Sequence, residues 1–386
     1  MANVIPPRIL ICSILFFAIS CVQSQTKEDQ EGESATVEWL SFDGHEDSPH
    51  IVLISGDEEY RSEEALPQLA HILNKHHNFS CTVLFAQDPA EPGIVDPNYV
   101  SNIPGLAMLE DADLVILFTR FRALTDDQMS LVNEYLLSGR PLIGIRTATH
   151  AFRFAGLDLE SEWSHYGNYH EEEGDWDGGF GRLVLGEKWI SHHGHHAHQS
   201  TRGVPVSGME SHPILRGIDE GTVWGPTDVY GVRLPLPGDS EPILLGQVVE
   251  RAGEFDESDP LLGMSPEDNV PAATVKREGR DGQEISVDLN DPMMPIAWTK
   301  SYQLPGGKQG KVFTSTLGAS TDLLSEGSRR MFINAAFWCL DMEVPARAKV
   351  DLVGSYNPSR FAFYDDVHWD EKQISIKALQ EQANKN

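Results

Sequence analysis

HIVLISGDEEYRSEEALPQLAHILNKH, residues 50–76, is the stretch on which the fold turns. His50–Ser55 is a near-continuous apolar run, the pattern of a strand covered on both faces. A polar turn follows, Gly56-Asp57-Glu58-Glu59-Tyr60-Arg61. Ser62–His76 then reads as a helix, with Ser62 as N-cap and Glu63 and Glu64 favourable in its first turn. The alternation continues with strands at Cys81–Phe85 and Asp113–Phe118, a helix at Thr125–Leu137 closed by Gly139, and a fourth strand at Pro141–Ile145. Such a rhythm predicts an α/β domain, a mostly parallel sheet with helices on both faces. Pro242–Val249, Pro295–Thr299 and Lys311–Thr316 read as further strands. Ser328–Leu340 is apolar nearly all round and reads as a buried helix.

The ends of the chain read differently. Met1–Arg8 is short and singly basic, and Ile9–Ile19 is an apolar core of signal-peptide length, so residues 1–24 are expected to direct export and be removed. Ala18-Ile19-Ser20-Cys21 also forms a weak lipoprotein box, which makes a lipid anchor on Cys21 the lesser alternative. Residues 25–47 are polar and acidic and read as a flexible leader. One α/β domain with long loops is expected over 48–345, with an acidic insertion at 251–292. Residues 346–386 read as a tail whose first part (Leu352, Tyr356, Phe361, Phe363) docks on the domain and whose end is mobile. Cys81 and Cys339, the two cysteines of the mature chain, sit in apolar segments and read as buried thiols.

Net charge is −30, and becomes −31 when Arg8 leaves with the signal. A surface so acidic repels phosphate backbones and anionic lipid, which argues against nucleic-acid partners. No segment after the signal is apolar and long enough to insert in a membrane. The oligomeric state is left open.

Ligands in open parallel sheets bind beyond the carboxyl ends of the strands. Those ends carry Asp57, Glu58 and Tyr60 after the first strand, Arg120 after the third, and Arg146-Thr147 with His150 after the fourth. These are the candidates for holding substrate, with His150 also a candidate in the chemistry. The turn at 144–148 has the shape of a nucleophile elbow, but its central slot holds Arg146, whose guanidinium cannot attack a carbonyl. Cysteine or serine nucleophilic catalysis of the amidotransferase kind is therefore not expected. Arg146 and Arg120 suit bidentate bonds to carboxylate or sugar hydroxyls.

A second chemical signal is WISHHGHHAHQSTRG, residues 189–203, with five histidines in seven positions. Imidazole serves both metal ligation and proton transfer near neutral pH. His192, His193, His195 and His196 are the candidate ligands of a divalent ion, zinc first among them, with an open position for water. If the segment is extended, His193 and His195 share a face, as do His196 and His198. His193 and His195 then supply either the ion or an acid–base pair. A solvated polar loop is the plain alternative. Tyr166, Tyr169, Trp176 and Trp298 read as sugar-stacking rings or core, Trp298 as packing.

GDEEYRSEE (56–64), LIGIRTATHAF (142–152), GGFGRLVLGEKWISHHGHH (178–196), ESHPILRGI (210–218) and MMPIAWTKSYQLPGGKQGKVFTSTLGAS (293–320) together resemble the trehalose-utilisation (ThuA-like) family. The likeness spans roughly 48–345 and is nearest to the secreted, planctomycete-type members. It implies a flavodoxin-like sheet, similar to a class I glutamine amidotransferase domain without its cysteine. It also implies a role in carbohydrate metabolism, on a glycoside or a modified sugar such as a 3-keto sugar. Arg146-Thr147-Ala148 stands where the family has His-Ser/Thr-Ala, so a role for that histidine does not transfer. The expectation is an exported enzyme, a hydrolase, isomerase or lyase, acting on a small carbohydrate. The alternative is a non-catalytic sugar-binding or metal-binding protein.

Overall fold

The computed structural model describes residues 36–156, 161–278 and 282–385. The export signal read in residues 1–24, with Cys21, lies outside the described residues, as does the leader up to residue 35. In chain order the first half holds β1 (Trp39–Phe42), β2 (His50–Gly56), α1 (Ser62–His77), β3 (Ser80–Phe85), β4 (Leu114–Thr119), α2 (Asp126–Leu137) and β5 (Leu142–Ile145). The second half holds α3 (Gly179–Leu183), β6 (Gln199–Pro205), β7 (Trp224–Gly225), β8 (Glu241–Glu250), β9 (Val270–Pro271), β10 (Thr274–Glu278) and β11 (Glu284–Asp288). It closes with β12 (Met294–Tyr302), β13 (Gly310–Ser315), α4 (Glu326–Cys339), α5 (Asp366–Lys372) and α6 (Ile376–Ala383).

The heart of the sheet is the parallel set β3-β2-β4-β5-β13. Its order is that of flavodoxin-like folds. The α/β expectation therefore holds, down to β2 and β4, whose residues are nearly all buried. Apolar side chains on the two faces form two cores. One packs α1 and α4, through residues such as Leu66, Leu69, Phe332 and Ile333. The other packs α2 and neighbouring loops, through Met129, Leu136, Phe152 and Phe180. Beyond β13 the sheet continues through antiparallel strands β12, β8, β6 and β7. Cys81 and Cys339 are buried free thiols. None of the described helices is long and apolar enough to cross a membrane.

Several local details depart from the sequence reading. Ser62 starts α1 but does not cap it: Arg61 takes the N-cap position in a left-handed conformation, φ 61°. Ser62 Oγ instead meets Ser55 Oγ at 2.8 Å and accepts the Asp57 N–H at 3.0 Å, tying helix to strand. Trp39–Phe42, within the segment read as a leader, pair antiparallel with β3 as an edge strand. The far end of the tail is anchored too. Gln380 on α6 accepts the Ser41 N–H at 2.8 Å and donates to the Ser41 carbonyl at 3.0 Å. Within 251–292, β10 and β11 pair as a hairpin. Arg277 of that hairpin donates to the main-chain carbonyls of His192 and His193, so it lies over the histidine segment.

Candidate functional site

In this strand order the chain reverses direction across the sheet between β2 and β4, and ligands of such folds sit in the crevice outside those strand ends. The turn after β2 is built on Asp57. Its buried carboxylate accepts the N–H of Glu59 at 2.7 Å, the N–H of Tyr60 and the hydroxyl of Thr147. Asp57 and Thr147, read as substrate contacts, therefore bind each other and shape the turn. Glu58 is likewise satisfied by arginines: it pairs with Arg120 and, at 2.7 Å, with Arg122. Arg120 also lies between the rings of Phe121 (4.7 Å) and Phe363 (4.8 Å).

The turn leaves Glu59 facing the other side of the crevice. Its Oε2 is 3.4 Å from Arg120 Nε, and its Oε1 is 3.5 Å from His196 Nε2. Burial, with Asp57 adding like charge, pushes the Glu59 carboxyl up to about 7, against the pull of Arg120 and His196.

Arg146 begins a short 3-10 turn after β5 with φ 44° and points inward, where it is fully buried. A buried guanidinium needs partners to offset its lost hydration. It lies 4.3 Å from the Tyr60 ring and 4.0 Å from the Tyr230 ring, a cation–π sandwich. Its nitrogens donate to the Asp228 carbonyl (3.0 Å), Asp228 Oδ1 (3.1 Å) and the Thr316 carbonyl (2.6 Å). Arg146 and Tyr60 thus form the floor behind the site, and the expected direct grip of Arg146 on substrate gives way to a grip on Asp228.

Asp228 is the residue to which the histidines answer. It is fully buried, and its Oδ2 accepts His192 Nδ1 at 2.8 Å and its Oδ1 accepts His196 Nδ1 at 3.1 Å. Burial alone would raise its carboxyl, but the two imidazole hydrogen bonds and the Arg146 charge hold it well below the usual carboxylate range. An ionised carboxylate only accepts, so each imidazole carries a proton on Nδ1. The two rings lie 4.7 Å apart. His192, His196 and Asp228 together could hold a metal ion, with donor atoms all within 4.8 Å of one another.

The histidine segment is not extended, and this reassigns the four candidate ligands. The N–H groups of His198 and Gln199 both return to the His195 carbonyl at 3.0 Å, Ala197 adopts φ 60°, and Gln199 Oε1 accepts the His195 N–H at 2.6 Å. One tight turn therefore brings together His192 and His196, four residues apart. His193 faces away: it is buried and its Nε2 donates to the Leu289 carbonyl at 2.9 Å. His195 is exposed and stacks on His198 with centroids 4.3 Å apart. His193 and His195 thus stand outside the cluster, contrary to the pairing expected of a strand. A cleft of about 600 Å³ opens on this side, bounded by His192, His195, His196, Gln199 and Arg277.

His150 does belong to the neighbourhood. It is buried against Phe121 (4.9 Å) and Trp189 (5.4 Å), and burial with the charges of Arg120 and Arg146 lowers its imidazole well below the ordinary value. It is neutral at physiological pH. Rings border the crevice on the outside, including Tyr169, stacked on Phe121 at 5.8 Å, and Phe363, both about half exposed. Tyr166 and Trp298 are core residues, and the Trp298 indole donates to the Leu185 carbonyl at 2.6 Å. Phe361 packs at 5.4 Å on both Tyr60 and His196. The docked tail therefore supplies part of the wall.

Glu59, Asp228 and Tyr230 were not among the residues the sequence singled out. Glu59 stood between two that were. Asp228 follows a strand of two residues, too short to leave a periodic signal.

No protein-family model matches the chain, and no curated protein does. Solved structures do. The chain is similar to a protein described as ThuA-like from Parabacteroides merdae ATCC 43184, at 13% identity and TM-score 0.40, over 82% of this chain and 98% of that one. It is similar to another so described from Bacteroides uniformis ATCC 8492, at 11% identity and TM-score 0.36, over 76% and 93%. A third is the exo-β-1,4-mannosidase Op5Man5 of Opitutaceae bacterium strain TAV5, at 9% identity and TM-score 0.28, over 76% of this chain and 36% of that one. Two of the three carry the name of the family that residues 56–64, 142–152 and 178–196 resemble, and no residue of the site is assigned from them.

Proposed function

We propose that this protein is an exported, carbohydrate-active enzyme working on a glycoside or a modified sugar such as a 3-keto sugar. Its centre is the His192/His196/Asp228 cluster, with Glu59 beside it. The observation that carries this reading is two imidazoles tied through Nδ1 to one buried carboxylate, at the ligand-binding edge of the sheet. A histidine so tied presents Nε2 as a base or a ligand. With a divalent ion the pair supports water activation or polarisation of a sugar carbonyl. Zinc is the ion best matched to imidazole and carboxylate donors. The exposed rings of Tyr169 and Phe363 and the likeness of residues 56–64 and 142–152 to the ThuA-like family support a sugar as the substrate. Export rests on residues 1–24. An amidotransferase is not proposed, because the elbow position holds the buried Arg146.

The test is elemental analysis of the mature, untagged chain, beside a turnover screen on glycosides and keto sugars. About one equivalent of zinc or a similar ion is expected. It should be kept in His195→Ala and lost in His196→Ala, and turnover should disappear with it. Sugar binding without turnover would make the protein a binding module, and neither binding nor turnover would overturn the carbohydrate reading.

A further inference from the structure

The cleft of about 600 Å³ beside the histidine turn has a charge character opposite to that of the chain. The sequence carries 59 acidic against 29 basic side chains. Yet the polar lining of the cleft is Arg277, the imidazoles of His192, His195 and His196, and Gln199, with no carboxylate among the described residues. Gln199 is spent within the turn and beside it, accepting the His195 N–H at 2.6 Å and donating to Glu250 Oε1 at 2.7 Å. Asp228 and Glu59 are buried beneath, each beside an arginine of its own, Arg146 and Arg120.

The register of β10 and β11 explains why Arg277 stands alone there. Side chains alternate between faces along a strand, and directly opposed residues share a face. Arg277 therefore shares its face with Val275, Ile285 and Val287, all apolar. Lys276, Glu278, Glu284 and Asp288 take the other face, where Lys276 meets Glu284 at 2.7 Å. Arg277 is thus the one charged side chain that these two strands turn toward the histidines. Its Nη1 donates to the His192 carbonyl at 3.3 Å and its Nη2 to the His193 carbonyl. A guanidinium has five N–H groups and is always charged. Among the described residues Arg277 bonds only to those neutral carbonyls, so its charge is left for a ligand.

We infer that the sugar taken by this cleft carries an oxyanion, a carboxylate or a sulfate ester, and that Arg277 binds that group beside His192 and His196. This rests on the carbohydrate reading of the proposed function and holds with or without a metal. A guanidinium fork engages two oxygens of such an anion at once. The two main-chain carbonyls already hold the fork in place, so little of its freedom remains to be lost on binding. A neutral sugar offers hydroxyls but no charge to balance Arg277, so the preference is for charge first. The cleft lies within the range of about 300–1,000 Å³ usual for small ligands.

The experiment is calorimetric titration of the full mature chain with matched methyl glycosides: glucuronide against glucoside, galacturonide against galactoside, and each neutral sugar against its 6-sulfate. The wild-type comparison needs no variant to fold. In at least one pair the anionic member should bind about 10–100-fold more tightly, the worth of hydrogen bonds to a charged group. The pair with the larger gap tells carboxylate from sulfate ester. Added salt should narrow the gap. Arg277→Gln should abolish it with the neutral sugar's affinity kept, and Arg277→Lys, which keeps the charge without the fork, should retain part of it. A merely loosened histidine turn would weaken both members alike, so equal losses in Arg277→Gln overturn the anion contact. Equal binding of both members by wild type also overturns it and leaves a carbohydrate protein standing. A wild-type chain that binds none of these sugars overturns both this inference and the carbohydrate reading.

Discussion

Glu59 carries a cost that depends on pH. Its carboxyl is raised from 4.5 to about 7 in the folded protein, chiefly by burial. The folded state therefore holds this proton more tightly than the unfolded chain does. Stability from Glu59 is fully present below the unfolded value and is lost as pH rises through about 7. At about 1.4 kcal/mol per pH unit, the loss is on the order of 3 kcal/mol. Glu59→Gln has no such titration. In chelator-treated protein, the stability of Glu59→Gln relative to wild type should grow by roughly that amount between about pH 4 and pH 8, measured by urea unfolding. A flat difference would mean that Glu59 ionises as an ordinary carboxylate.

At the level of elements, the turn between β2 and α1 does as much as either neighbour. Asp57 accepts two backbone N–H groups and the Thr147 hydroxyl, all buried. Asp57→Ala should orphan these donors at about 1–3 kcal/mol each and release Glu59 from its pose. Denaturant melts should show the loss of stability. The parallel strands and long helices were legible in the sequence because their residues are buried by runs and stripes that any local window detects. The histidine turn was not legible. Its shape depends on Gln199 folding back to His195 and on the N–H groups of His193 and Gly194 meeting the Val229 carbonyl, so no periodic pattern announces it. Arg146 was legible as important but not in its task. The task is set by Tyr60, Tyr230 and Asp228, the last 82 positions away along the chain.

For the molecule as a whole, the ends of the chain close on each other. β1 borders β3, α6 borders β1, and the segment before α5 reaches the site through Phe361 and Phe363. Leu40, Phe42, Val353, Phe361, Trp369 and Ile376 are all buried there. At about 1.5–3 kcal/mol for each such side chain, a chain trimmed to residues 48–345 should lose several kcal/mol. Its melting temperature should fall by on the order of 10 °C against residues 36–386, by calorimetry. Equal melting temperatures would make both ends ornamental. The hairpin β10–β11 offers a last contrast. Arg277 holds the histidine turn by the carbonyls of His192 and His193, groups that every amino acid shares. That clasp is blind to which side chains the turn displays, whereas the bond from the His193 ring to the Leu289 carbonyl just past β11 is not, so His193 is the one histidine of the turn whose loss would loosen its cover.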